Sequence, residues 1–260
     1  MKYFILTISI ILFSTVGFAQ DGKLSNLNKK YNDFYEAQKY KKALKIAIRA
    51  QKFADRHFGF VSLENALSLK LLGEHYLDND EFYKSELYCL KSIEVFRKLG
   101  DTNSIDFGNI NNTTGILYKQ IGNYPKSLAY YQKSLFVFQQ KLGVESDYCA
   151  MVMNNMSSLY RYLGNYQKAE QLALEAAKIY KNVYGDTSFY YSSVTNNLGN
   201  IYSDLYNFEK AEYYYKISYE IRKNIYGENH YYCAFSLNNL GTLYLFFEKN
   251  IEAETYFLKA

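Results

Sequence analysis

The sequence contains one seven-residue stretch four times: NNLGTLY at residues 238–244, NNLGNIY at 196–202, NNMSSLY at 154–160 and NTTGILY at 112–118. The small residue in each copy lies 42 positions from the next, and Gly73 extends this column towards the N terminus. A second column of small residues keeps the same spacing, at Ala43, Ser85, Ser127, Ala169, Ala211 and Ala253. Two columns in register indicate a tandem array in which neighbouring repeats bury one another's apolar faces.

Each unit also carries an aromatic residue three positions after the first column, at Phe34, Tyr76, Tyr118, Tyr160, Tyr202 and Tyr244. With its two small columns, the unit resembles the tetratricopeptide repeat, a helix-turn-helix of about 34 residues. The longer period and the Asn-Asn-Leu-Gly start are similar to the repeats of kinesin light chains and to bacterial repeats that precede CHAT-type protease domains. The resemblance covers roughly residues 24–260. It implies an all-α fold, a right-handed α-solenoid of stacked antiparallel helix hairpins.

Each hairpin contains a first helix, here helix A, and a second, helix B. The spacing predicts helix A at 62–78, 105–120, 147–162 and 189–204, and helix B at 81–98, 124–141, 166–183 and 208–225. Gly122 and Gly164 are expected to end helix A in the left-handed conformation. Pro125 is expected in the first turn of helix B, where its missing N–H costs nothing.

The N terminus has the pattern of a signal peptide, residues 1–19. An apolar run from Tyr3 to Val16 follows Lys2, and the small residues Gly17 and Ala19 favour cleavage after Ala19. The run is shorter than the roughly 18 apolar residues of a spanning helix. An uncleaved anchor is the alternative, and both readings place the repeats in the periplasm or another extracellular compartment of a bacterium.

The repeats divide into a degenerate N-terminal unit and an array. Residues 20–61 form the degenerate unit, in which Lys30-Tyr31 replaces the usual Leu-Gly pair, and it is expected to act as the cap. Residues 62–260 hold repeats two to six. The last repeat is read as incomplete, because Ala260 falls on a small column within helix B.

The composition argues against several classes of function. The net charge is +4, and the basic residues form no run longer than the pairs Lys29-Lys30 and Lys41-Lys42, so no nucleic-acid partner is expected. The sequence contains no Gly-rich phosphate loop and no metal-ligand spacing. We therefore expect no enzyme activity, no cofactor and no small-molecule substrate.

The cysteines also fit a non-catalytic protein. Cys89 is expected to be a buried apolar residue, and Cys149 and Cys233 stand two repeats apart, beyond disulfide reach. His230 precedes Cys233 by three positions, but a catalytic pair needs an orienting group and an oxyanion site that this linker does not offer.

The candidate binding site lies on helix A, which in the resembled families lines the concave face. Asn112, Asn154, Asn196 and Asn238 form a ladder whose amides could pair with the backbone of an extended peptide, as the resemblance to kinesin light chains implies. Asn200 lies one turn further on, and Lys119 and Arg161 could hold an acidic group. The alternatives are that the ladder is structural and that the two cations are solvated. Asn155, Asn197 and Asn239 are expected to join neighbouring helices.

These observations predict an exported, non-catalytic protein-interaction scaffold that binds peptide or protein segments in the groove of the array. The alternative is an N-terminal sensory or regulatory region of a larger effector, such as a CHAT-type protease or a membrane sensor kinase. Membrane contact is expected only if the signal segment is uncleaved or a downstream segment exists.

Overall fold

The fold is a series of antiparallel helix hairpins. A computed structural model describes residues 22–260, and within that range it contains twelve helices and no strand. The helices A are α1 (Gly22–Glu36), α3 (Leu63–Asp78), α5 (Ile105–Gln120), α7 (Asp147–Tyr162), α9 (Phe189–Asp204) and α11 (Tyr231–Phe246). The helices B are α2 (Tyr40–Phe58), α4 (Phe82–Lys98), α6 (Tyr124–Leu142), α8 (Tyr166–Tyr184), α10 (Phe208–Tyr226) and α12 (Asn250–Lys259).

The predicted all-α fold is confirmed, and each helix boundary predicted for repeats two to five lies within one residue of the observed one. The last helix, α12, has 10 residues, against 17 to 19 in the other helices B. The predicted signal peptide, residues 1–19, lies outside the described residues.

The helix ends are fixed by capping groups that follow the same period. The hydroxyl oxygens of four serines accept hydrogen bonds from the backbone N–H three residues later and so cap four successive helices A: Ser62, Ser104, Ser146 and Ser188. Such a bond satisfies one of the four backbone donors that a helix start leaves free. At the other end, Gly122 and Gly164 adopt φ of 78° and 72°, which confirms the left-handed termination of α5 and α7.

The chain divides into two compact units, with the boundary between Val137 and Phe138 inside α6. In the first unit α2 packs against α3, and α4 packs against α5. In the second unit α8 packs against α9, and α10 packs against α11. Helices A also contact the next helix A, α3 against α5 and α7 against α9. This consecutive packing is typical of the repeat solenoid that the sequence predicts.

Helix A and helix B of a hairpin are in close contact at the first small column. A Cβ added to Gly115 would lie 2.5 Å from Cδ1 of Tyr131, and one added to Gly199 would lie 2.5 Å from Cδ1 of Tyr215. The Ser127 hydroxyl donates to the carbonyl oxygen of Gly115 at 2.7 Å, and Tyr131 is fully buried. Glycine is therefore required there because an aromatic ring of helix B fills the space of its missing side chain.

Hairpins that lack the glycine carry a smaller partner on helix B. In the first hairpin Tyr31 occupies the glycine position, and Ala47, sixteen residues later, lies in the same buried cluster. In the fourth hairpin Ser157 is matched by Ala173, and its hydroxyl donates to the carbonyl oxygen of Ala169 at 2.8 Å. In the first repeat, the larger Tyr31 on helix A is therefore compensated by the smaller Ala47 on helix B.

The aromatic column of helix A links successive hairpins. The hydroxyl of Tyr118 donates to Oε1 of Glu86, in the preceding helix B, at 2.6 Å. Tyr202 donates in the same way to Glu170, and Tyr244 to Glu212. The tyrosine ring packs between helices, and the hydrogen bond supplies a polar partner for its hydroxyl group. This arrangement suits the amphipathic character of tyrosine.

The matched volumes predict coupled effects of substitution. Gly115→Ser should destabilise the protein by about 1–3 kcal/mol because the new side chain meets the Tyr131 ring, and Tyr131→Ala should cost about 3–5 kcal/mol through the cavity it leaves. The double variant introduces the serine and alanine pair found in the fourth hairpin. Its loss of stability should therefore be smaller than the sum of the two single losses by at least about 1 kcal/mol. Chemical denaturation of the four proteins measures this.

Gly22→Ser is the control, because an added Cβ there meets nothing within 4 Å. It should change stability by no more than about 0.5 kcal/mol. Additive losses in the double variant would contradict the proposed compensation.

Candidate functional site

The candidate surface is the part of α7, α9 and α11 that stays open to solvent. Partial or full exposure recurs at equivalent positions of the three helices: Met151, Ser193 and Phe235 in one column, Ser158, Asn200 and Thr242 in the next, and Arg161, Ser203 and Leu245 in a third. Steps of seven and three residues, two turns and one turn, place these columns along one side of each helix. We call this surface the helix A face of the second unit.

Asparagine side chains are bonded to one another along this face. Nδ2 of Asn197 donates to Oδ1 of Asn154 at 2.7 Å, and Nδ2 of Asn239 donates to Oδ1 of Asn196 at 2.8 Å. Each bond joins one helix A to the next, which confirms that Asn197 and Asn239 connect neighbouring helices. The predicted ligand residues Asn154 and Asn196 are only 9% and 5% exposed. The side-chain oxygens of Asn154 and Asn196 are therefore already bonded within the array.

The amide pairs retain unused hydrogen-bonding groups. Within the described residues no hydrogen bond uses Nδ2 of Asn154 or Asn196, or Oδ1 of Asn197 or Asn239. Because an amide carries two donor hydrogens and an acceptor with two lone pairs, each pair keeps a donor on one residue and an acceptor on the other. That combination matches the N–H and C=O of a peptide unit.

Arg161 forms an ion pair that the sequence did not predict. Its Nη1 lies 2.9 Å from Oδ2 of Asp204 at the end of α9, and its guanidinium lies 4.9 Å from the ring centroid of Tyr162. The side chains of Arg161 and Asp204 are 21% and 34% exposed. The contact joins adjacent helices A at the edge of the face, and an acidic ligand would have to share Arg161 with Asp204.

The remaining predicted residues have different surroundings. Oδ1 of Asn200 accepts a hydrogen bond of 2.8 Å from the Tyr215 hydroxyl. Asn238 is half-buried on α11, and its carbonyl oxygen accepts from the Thr242 hydroxyl at 2.8 Å. Asn112 is buried on α5 and Lys119 lies in the last turn of that helix, so both belong to the first unit. The helix A face of the second unit therefore gathers Asn154, Asn196, Asn200, Asn238 and Arg161.

The His230 and Cys233 side chains do not form a nucleophile and base. Nδ1 of His230 accepts from the backbone N–H of Tyr232 at 3.3 Å as the cap of α11, and Sγ of Cys233 donates to the carbonyl oxygen of Gly227 at 3.2 Å. Burial raises the pKa of the Cys233 thiol, which disfavours the reactive thiolate. All three cysteines are free, and Cys89 is fully buried as expected.

Neither a metal site nor a spanning helix occurs among residues 22–260. No three His, Cys, Asp or Glu side chains in that range gather closely enough to hold a metal ion. None of its helices combines the length and the apolar character that crossing a bilayer demands.

A partly buried polar cluster connects the first two hairpins and was not predicted from the sequence. The Tyr31 hydroxyl lies 3.2 Å from Nδ1 of His75, and the Tyr35 hydroxyl donates to Oδ2 of Asp78 at 2.5 Å. Burial lowers the pKa of His75 to about 4. Burial also raises the pKa of Asp78 to about 7, although the bond from Tyr35 opposes the rise. Two titrating groups thus join α1 to α3.

Comparisons with known proteins agree with this architecture. A sequence profile described as the tetratricopeptide repeat matches residues 106–182 and 190–260, more than half of the chain. A search of curated proteins finds no match to this sequence.

Solved structures share the fold at low sequence identity. BtubC (BKLC) from P. vanneervenii aligns with a TM-score of 0.64 and 20% identity over 91% of this chain and 89% of its own. A kinesin light chain with nearly identical TPR-like repeats, from Podosopora anserina, has a TM-score of 0.65 and 10% identity over 78% and 95% of the two chains. PilW, a type IV pilus biogenesis factor, has a TM-score of 0.66 and 14% identity over 91% of each.

The cluster of His75 and Asp78 predicts opposing pH effects on stability. His75 has a folded pKa of about 4, below its reference value of 6.5, so its stabilising contribution is complete above pH 6.5 and is lost as pH falls towards 4. Asp78 has a folded pKa of about 7, above its reference of 3.8, so its contribution is complete below pH 3.8 and is lost as pH rises towards 7. The two slopes oppose each other between about pH 4 and 6.5.

Replacing either His75 or Asp78 should reveal how the other residue makes stability depend on pH. Compared with the unchanged protein, Asp78→Asn should lose stability as pH falls from 6.5 to 4, and His75→Gln should lose stability as pH rises from 4 to 7. The limiting slope is about 1.4 kcal/mol per pH unit. Urea denaturation at a series of pH values measures both, and difference curves without slope would contradict the assigned titrations.

Proposed function

The chain belongs to the tetratricopeptide repeat family, and we propose that it is an exported, non-catalytic scaffold that binds an extended peptide on the helix A face of the second unit. The proposal rests on two pairs of bonded asparagines, Asn154 with Asn197 and Asn196 with Asn239. In each pair the hydrogen bond restricts the orientation of the two amides, and one donor and one acceptor remain unused.

The bonds between the asparagines favour this function over a merely structural ladder. Rotation of the Asn154 and Asn196 amides is limited because each oxygen is already engaged, so less side-chain entropy is lost when a ligand binds. Equivalent positions lie one hairpin apart, about 10 Å in packed helices, and an extended chain advances about 3.3 Å per residue. Neighbouring pairs would therefore contact peptide units about three residues apart.

The side chains around the amide pairs favour peptide recognition that depends weakly on sequence. Met151 and Phe235 supply apolar surface, while Ser193 and Thr242 supply hydroxyl groups. Main-chain hydrogen bonds give affinity, and contacts with alternate side chains give selectivity. The Arg161 and Asp204 ion pair at the edge of the face would favour a ligand that carries both charges near one end.

Asparagine-to-aspartate substitutions test the proposed donors. Asn154→Asp together with Asn196→Asp keeps an oxygen for Asn197 and Asn239 but removes both free Nδ2 groups. A linear peptide selected from a phage-displayed library on the unchanged protein should bind this variant about 5- to 30-fold more weakly, since each lost hydrogen bond contributes about 1 kcal/mol. Isothermal titration calorimetry measures the change.

The matched control is Asn165→Asp with Asn207→Asp. These residues cap α8 and α10 by accepting the backbone N–H of Lys168 and Lys210. Aspartate caps equally well, so the control adds the same two charges away from the face and should leave peptide affinity unchanged. Failure to select any peptide, or equal affinity for both double variants, would contradict the proposal.

Export is supported by the apolar run from Tyr3 to Val16 and the small residues Gly17 and Ala19. We expect expression in a bacterium of the two-membrane type to yield a product that begins at Gln20. Intact-mass measurement of the protein from the cell envelope reads the cleavage directly, and a Phe18→Pro variant should change or block it. A product that retains residues 1–19 would favour the uncleaved anchor.

A further inference from the structure

Five basic residues lie along one side of α2. Lys41, Lys45, Arg49, Lys52 and Arg56 are all exposed, and we call them the basic ridge. Their spacings of four, four, three and four residues place them within an arc of about 80° along about 22 Å of helix. In the sequence they are separated by two or three residues, most of them apolar, so the charges form no run longer than the pair Lys41-Lys42.

The ridge has no acidic partner in the part of the chain that the structure describes. Among residues 22–260 no carboxylate lies within ion-pair distance of any of the five, and α2 contains one acidic residue, Asp55. Other helices B do pair such charges four residues apart, as in Lys98 with Glu94 and Lys216 with Glu212. Like charges at that spacing destabilise a helix. The ridge is therefore a cost to folding that packing does not require.

The equivalent columns in the other hairpins show that helix B does not need basic residues there. The same five positions carry net charges of +1 in α4, +1 in α6, 0 in α8 and −2 in α10, against +5 in α2. Residues 22–58 hold ten basic and three acidic residues, a net charge of +7, whereas the rest of the chain has a net charge of −3. The positive charge of the protein is thus concentrated in its first hairpin.

We propose that the basic ridge docks the protein on an anionic phospholipid bilayer. A flat, uniformly negative surface can contact all five cations of a straight helix at once, and basic clusters of this size on a helix face are suited to anionic lipid. Single-stranded nucleic acid is held by aromatic platforms as well as by charge, and no ring lies between the five cations on the ridge. The ridge belongs to a helix B of the first unit, so this inference is independent of the peptide site on α7, α9 and α11.

Vesicle binding tests the proposal. The full chain is compared with a ridge variant, Lys41→Gln, Lys45→Gln, Arg49→Gln, Lys52→Gln and Arg56→Gln, by co-sedimentation with vesicles of phosphatidylglycerol and phosphatidylcholine in equal amounts. The partition coefficient of the ridge variant should fall on the order of a thousandfold. Binding of the unchanged chain should weaken steeply with salt, since the screening length falls from about 10 Å at 0.1 M to about 3 Å at 1 M.

The matched control removes five exposed lysines from other helices: Lys91→Gln, Lys133→Gln, Lys141→Gln, Lys178→Gln and Lys259→Gln. It has the same net charge as the ridge variant and retains residues 1–19, so any binding through the N-terminal apolar run is common to both. The control should lose less than about tenfold, because the removed charges are spread over four helices and form no row along any one of them. Circular dichroism confirms that each variant is helical, and a variant with the three ridge lysines changed to arginine should bind as the unchanged chain does.

Three results would overturn the proposal. Equal losses in the ridge variant and the control would show an effect of net charge alone. Binding to pure phosphatidylcholine that equals binding to the anionic vesicles would assign attachment to the apolar run. Displacement from the vesicles by single-stranded DNA, with tighter DNA binding that depends on the same five residues, would make the ridge a nucleic-acid surface.

Discussion

Each hairpin depends on the contact between helix A and helix B at the first small column. At Gly115 and Gly199 a tyrosine ring of helix B occupies the space in which a Cβ would stand. Burying such a ring stabilises the hairpin, and omitting the side chain opposite it lets the helices approach closely. Where Tyr31 or Ser157 replaces the glycine, helix B carries Ala47 or Ala173. A side chain at the glycine position is therefore matched by a small residue on helix B, because a close-packed interior does not hold two large side chains at that point.

The face available for binding follows from this packing. Helix A is held against its own helix B and against the preceding one, where Tyr118, Tyr202 and Tyr244 bond to glutamates. The side that remains carries the asparagine pairs of the second unit. Their amides bond to one another across successive helices, so the array fixes the groups that we propose to contact a peptide. A site built in this way is preorganised by the same bonds that connect the hairpins.

The charged residues do not follow the repeat period that the packing residues follow. The second small column and the aromatic column recur in every hairpin, whereas the basic ridge occurs on α2, and the buried His75 and the half-buried Asp78 join the first hairpin to the second. Packing requires the recurrent residues because each repeat must bury the apolar faces of its neighbours. It does not impose the ridge, which lies on an exposed helix face. Features that break the period without a compensating change in volume are thus the ones that point to a role outside folding.

The sequence by itself determined the fold class, the helix boundaries and the Gly122 and Gly164 terminations, because these depend on local periodicity and on residues with a distinctive backbone preference. It also identified Asn197 and Asn239 as links between helices. Only the tertiary structure showed that Asn154 and Asn196 accept those links, that Arg161 pairs with Asp204, and that Tyr31, Tyr35, His75 and Asp78 meet. These contacts join residues about one repeat apart, so their partners follow from how helices stack and from side-chain rotamers, which a column of identical spacing does not specify.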